Sequence, residues 1–112
     1  MEQKDLGKSS LGMDANVAAL LSYLLGFITG IIFYVLEKEN KFVRFHAMQS
    51  IIVFGFLFVV GMVAFVVPFI GPFISVLANL AGLVLWVILT IKAYQGEKFK
   101  LPVAGDIAEQ KA

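Results

Sequence analysis

Cysteine is absent from the 112 residues, which removes disulfides, thiolate nucleophiles and cysteine metal sites from consideration. Charge is scarce, since Asp, Glu, Lys and Arg together make up 15% of the chain, and there is a single histidine. The charges are also unevenly spread. Between Asp14 and Glu37 lie 22 residues without Asp, Glu, Lys or Arg, and between Arg44 and Lys92 lie 47. The membrane interior thus has no His, Asp, Glu, Lys, Arg or Cys to serve as base or nucleophile, so no enzyme and no catalytic residue is expected. One histidine without a second strong ligand speaks against a metal site. No cofactor and no nucleic-acid partner is expected either.

What the chain has in excess is apolar side chains: 60% of residues, eleven of them phenylalanine. Ordinary soluble domains hold about 45–50% apolar residues, and a small domain has too little interior to hide more. The excess must face lipid. About twenty apolar residues cross a bilayer core, so the first gap has room for one span and the second for two, provided the chain turns near its middle. "VPFIGPF" supplies the turn. Pro68 and Pro72 fix their own φ and lack a backbone donor, and Gly71 between them accepts positive φ. Without a turn the second run would form one helix of roughly 70 Å, far beyond a hydrocarbon thickness of about 30 Å.

The reading is an all-α integral membrane bundle of three transmembrane helices, one domain over 1–112, with spans near 15–36, 47–67 and 72–93 and a tail at 94–112. The N-terminal apolar run is too long for a cleavable signal and continues into "FYVLEKENK". Three spans place the N-terminus and the Pro-Gly turn on one side with Lys4 and Lys8, and seven basic residues on the other: Lys38, Lys41, Arg44, Lys92, Lys98, Lys100 and Lys111. The positive-inside rule then predicts a multi-pass protein of the cell (inner) membrane, its N-terminus outside, loop 37–46 and the C-terminus in the cytoplasm. The end of the tail is expected to be loose.

"FVRFHAMQS", residues 42–50, is on this reading the point where the chain returns to the membrane. At about 100° per residue His46, Gln49 and Ser50 share one arc and Arg44 points roughly the other way. Two readings compete. The stretch is a collar at the membrane boundary, with Arg44 reaching lipid phosphate, or Arg44, His46, Gln49 and Ser50 contact a partner or a small ligand at the cytoplasmic mouth.

Helix packing is expected from Ala18, Ser22, Gly26 and Gly30, spaced every four residues, with "GFITG" forming a GxxxG that lets another helix approach closely. Asn79 is the most polar side chain at depth, with Tyr23 about equally deep, and an amide in hydrocarbon seeks a hydrogen bond, here from Ser22 or Tyr23. Tyr34, Tyr94 and Trp86 suit an aromatic belt.

"LSYLLGFITGIIFYVLEKENKFVRFHAMQS", followed by two apolar spans, resembles the small bacterial and archaeal membrane proteins grouped with the chloroplast Tic translocon subunit and the magnetosome proteins MamF and MmsF. The resemblance covers residues 12 to about 107 and is most specific at Phe42, Val43, Arg44, Phe45, His46, Ala47, Gln49 and Ser50. It implies a helical scaffold that helps other membrane proteins assemble. The expected partners are the lipid bilayer and other membrane proteins or further copies of the chain. The competing reading is a subunit of an oligomeric channel, carrier or translocon.

Overall fold

The computed structural model describes residues 7–112, so Lys4, counted above on the N-terminal side, lies outside the described residues. Among the described residues the chain forms five helices and no strand: α1 (Ala15–Leu24), α2 (Phe27–Leu36), α3 (Lys41–Val66), α4 (Gly71–Tyr94) and α5 (Ala104–Lys111). Two of them, α3 with 26 residues and α4 with 24, are long and apolar enough to cross a membrane. At about 1.5 Å per residue they reach roughly 39 and 36 Å, enough for a hydrocarbon core of about 30 Å.

The first apolar run departs from expectation. It is not one span over 15–36 but two ten-residue helices, each only about 15 Å long. They are broken at Gly26, whose φ of 63° and ψ of −135° are open to glycine and strained for other residues. Contacts with α3 give the direction of each half. Ala15 and Ala18 of α1 pack with Val43, near the start of α3, and the carbonyl of Gly26 accepts from Ser50. Phe27 then lies against Phe58, with ring centroids 5.2 Å apart. From there α2 returns, so that Gly30 lies beside Ala47 and Ser50 and the Tyr34 carbonyl meets Arg44. The run enters about halfway along α3 and folds back.

A break inside an apolar run frees backbone groups that need other partners. Side chains supply the bonds. Trp86 Nε1 donates to the Tyr23 carbonyl at 2.7 Å, Thr29 Oγ1 donates to the Ser22 carbonyl at 3.1 Å and accepts from the Leu25 N–H at 3.1 Å, and Ser50 Oγ donates to the Gly26 carbonyl at 2.8 Å. "GFITG" therefore does two jobs. Gly26 turns the chain, and Gly30 allows contact so close that a Cβ there would sit 2.9 Å from the Ala47 carbonyl oxygen.

The second expected turn is present, with its roles exchanged. Positive φ falls on Phe69, at 66°, and not on Gly71. Gly71 is needed for space, since a Cβ would lie 2.1 Å from the Ala64 carbonyl oxygen. The third difference is the tail. After α4 the chain doubles back along α3, reverses at Leu101–Val103 and returns as α5, which packs on α3. Gly105 rides so close to Lys100 that a Cβ would meet its Cα at 2.6 Å.

Two short hairpins thus flank the first half of α3, and the core is confined to that half. The buried residues of α3 are Val43, Phe45, His46, Ala47, Gln49, Ser50 and Val53, and beyond them only Ala64. The far half of α3 and α4 is bare, with Phe65 and Phe69 89% and 91% exposed, an arrangement that is stable only with lipid or protein around it.

The hairpin places position 11 beside the 37–40 loop, because Ser10 bonds Glu37. Single cysteines at the exposed positions Leu11, Glu39 and Phe69 should therefore label with an impermeant thiol reagent from one side for 11 and 39 and from the other for 69. Labelling of 11 and 69 from the same side restores the three-span arrangement.

Candidate functional site

The polar residues that interrupt the apolar pattern converge on the first turns of α3. That helix begins at Lys41, six residues before the span start expected at 47, because Asn40 caps it: its Oδ1 accepts from the N–H groups of Phe42 and Val43 at 3.0 and 3.2 Å. "FVRFHAMQS" is accordingly helical and enclosed by protein.

At its centre stand Tyr23, His46 and Gln49, all fully buried. His46 Nε2 lies 2.9 Å from the Glu97 carbonyl oxygen. A carbonyl only accepts, so Nε2 carries the hydrogen and Nδ1 is the acceptor of the neutral ring. The Tyr23 hydroxyl donates to that Nδ1 at 2.7 Å and in turn accepts from Gln49 Nε2 at 3.1 Å. Gln49 Nε2 also donates to the Phe99 carbonyl at 2.9 Å, and its Oε1 accepts the Leu101 N–H at 3.0 Å. The imidazole is further enclosed edge-on by the rings of Phe42, Phe45 and Tyr23.

The three side chains form a clamp on the extended segment 97–101. Both imidazole nitrogens, the tyrosine hydroxyl and both ends of the glutamine amide are already paired within the chain. His46, Gln49 and Ser50, expected at a partner or ligand contact, are placed by the structure in bonds within the chain. They hold the chain's own tail and the hairpin tip, because those segments bring unpaired backbone groups into an apolar setting. The tail is tied at a second point, where the Tyr34 hydroxyl donates to the Lys111 carbonyl at 2.6 Å, so it is docked where a loose end was expected. Exposed ion pairs from Lys98 and Lys100 to Glu109, and from Lys100 to Asp106, link its two arms.

Arg44 does not reach outward to lipid. Its Nη1 donates to the Tyr34 and Glu37 carbonyls at 3.0 and 2.7 Å, and its guanidinium lies 4.1 Å from the Tyr34 ring centroid. It caps the C-terminus of α2, where a cation also suits the helix dipole. Next to it Glu37, fully buried, accepts from the Ser10 N–H at 2.7 Å, the Asn40 N–H at 3.0 Å and the Ser10 hydroxyl. Burial alone raises its pKa, but these bonds outweigh burial and hold the carboxyl below the ordinary glutamate range. Sequence reading passed over Glu37 and Asn40. The available signal was "EKEN", the one place where an acid follows directly on the apolar run.

Of the residues expected to pack helices, Ser22 donates to its own helix at the Ala18 carbonyl, 3.0 Å away, while Tyr23, Gly26 and Gly30 make the contacts above. Asn79 bonds neither Ser22 nor Tyr23. It is exposed on the bare half of α4, and among the described residues its amide has no hydrogen-bond partner. Trp86, read as belt, bonds the α1 backbone. Among the described residues no three His, Asp or Glu side chains are grouped to hold a metal ion.

Two outcomes follow from this geometry. Gln49→Leu leaves backbone groups of Phe99 and Leu101 unpaired at a loss of about 1–3 kcal/mol, so trypsin should cut at Lys98 and Lys100 several-fold faster than in wild type in mild detergent; an unchanged rate overturns the clamp. Glu37, with its folded pKa lowered, contributes stability above the ordinary glutamate value of about 4.3, and that contribution is lost as pH falls below it. Wild-type melting temperature should therefore drop between about pH 5 and pH 3 more steeply than that of Glu37→Gln.

Residues 8–108 match the family described as magnetosome magnetite crystal formation proteins, MamF and MmsF. Among similar proteins are two UPF0132 membrane proteins of Methanocaldococcus jannaschii. One is 58% identical over 105 residues, covering 94% of each chain, and the other 48% identical over 101 residues, covering 90% of this chain and 72% of the relative. A UPF0132 membrane protein of Archaeoglobus fulgidus is 50% identical over 98 residues, covering 88% of this chain and 95% of the relative. No solved structure matches. With a membrane-compatible helix pair, a buried "FVRFHAMQS" clamp and a family match over nearly its whole length, the chain belongs to the MamF/MmsF family of small membrane proteins.

Proposed function

We propose that the protein is a non-catalytic scaffold or assembly factor for other proteins of the cell membrane, its α3–α4 hairpin crossing the bilayer and its α1–α2 and tail hairpins dipping in from the cytoplasm. The observation that carries this reading is the bare far half of α3 and α4, where Phe56, Phe58, Met62, Phe65, Phe73 and Leu77 are all more than half exposed. The clamp engages Tyr23, His46 and Gln49 within the chain, which leaves the apolar surface as the largest feature open to other proteins.

The proposed topology has two crossings, not three, and moves the N-terminus to the cytoplasm. Support comes from charge. All eight described basic residues lie at the end holding Gly7, the C-terminus and the 37–40 loop, whereas the 67–71 turn has none. A complete asymmetry of this kind orients that end to the cytoplasm under the positive-inside rule. The magnetite in the family's description stays outside the proposal, since Asp14, Glu97, Asp106 and Glu109 each face a lysine of the same chain.

A photocrosslinking side chain at Phe65 should capture a small set of membrane proteins in native membranes, and one at Ile91, exposed in the enclosed half, should capture far less. The assembled form of the captured proteins should fall when the chain is absent. Equal capture at both positions, or unchanged assembly, overturns the scaffold reading.

A further inference from the structure

The α1–α2 hairpin stops halfway along α3, and directly beyond its tip the face between α3 and α4 is an open groove of about 410 Å³. Its floor is built from small residues, Gly61, Ala78 and Gly82, and it continues outward past Asn79 toward Met62 and Phe65. On α4 the residues Ser75, Asn79 and Leu83 follow one another at a spacing of four and all line it, so they stand in one row. Asn79 lies about 12 Å from the start of α4 at about 1.5 Å per residue, well inside the hydrocarbon of a spanning helix.

We infer that this groove is the interface of a two-fold dimer, in which the Asn79 amides of two copies pair with each other. The inference rests on the spanning hairpin of the proposed function. Asn79 is exposed and has no partner among the described residues, and lipid offers it none. A carboxamide has one acceptor oxygen and a donor NH₂, so two amides related by a two-fold axis satisfy each other reciprocally, and the same patch serves both copies. No other chemistry complements the amide as simply without a second component. Gly82, one turn away, and Ala78, beside it, allow the two α4 helices to come close, as packing in lipid requires. Phe58 and Leu83 form the walls. The remaining bare faces of the two hairpins stay available to other proteins.

Cysteines at Ser75 and Leu83, one turn to either side of an intact Asn79, should form disulfides between copies on mild oxidation of native membranes, while a cysteine at the exposed, off-groove Val84 should not. Asn79→Leu should weaken self-association about three- to tenfold, and Asn79→Gln should retain most of it. Absence of copy-to-copy disulfides at both 75 and 83, equal crosslinking at 84, or no effect of Asn79→Leu overturns the dimer. Capture of other proteins from Phe65 without self-crosslinking at 75 or 83 overturns the dimer and leaves the scaffold reading standing. Self-crosslinking without such capture does the reverse.

Discussion

Tyr23 donates to His46, and that one bond joins the α1–α2 hairpin to α3 while fixing the imidazole so that its other nitrogen reaches the tail. Gln49 closes the same network from the next turn of the helix. Three segments far apart in sequence are tied at one place, each supplying what the others lack: a hydroxyl, a ring acceptor, an amide, and the backbone groups of the tail segment 97–101. In a setting without water each of these bonds is worth more than at a surface, and each group left unpaired is a heavier loss. Removing any one member takes a bond from at least one of the others, so the three are coupled.

The broken first run is the other face of this arrangement. An α1–α2 helix that continued straight would carry its far half away from the enclosed half of α3, and Tyr34 would never return to Arg44. Folding back exposes carbonyls at the break, and the chain meets this with one side chain from each neighbour: Trp86 from α4, Ser50 from α3, Thr29 from α2 itself. At the mouth of the hairpin Arg44 and Glu37 close the opposite end, one donating to carbonyls and the other accepting from N–H groups. The result is a molecule with two unlike halves, one dense and extensively hydrogen-bonded, the other the bare outer part of α3 and α4, where the Asn79 amide has no hydrogen-bond partner among the described residues.

This division separates folding from function. Residues 42–50, the most distinctive in the chain, bond within it, while the surface proposed for partners is made of ordinary phenylalanines, leucines and small residues. In membranes such a surface is sufficient, because association there depends on shape and on a few polar contacts more than on the expulsion of water. The signature carries the internal bonds of the fold, and the proposed partner surface lies where the sequence is least conspicuous.

The sequence by itself determined the membrane class, the helical architecture, the α3–α4 pair and the position of its turn, because each depends on local quantities: transfer of side chains to lipid, backbone bonds closed within a helix, and the φ limits of Pro68 and Pro72. It also marked Tyr23, His46, Gln49 and Gly26 as out of place. Only the tertiary structure decided whether the 22 uncharged residues after Asp14 run on as one helix or turn back, since hydropathy carries no direction and Gly26 is compatible with both. It likewise decided what Arg44, His46 and Gln49 bond, that Glu37 is buried, and that the tail docks. Those contacts join residues up to 77 apart, as between Tyr34 and the Lys111 carbonyl, and a hydrogen bond depends on where atoms meet in space, which no spacing along the chain specifies.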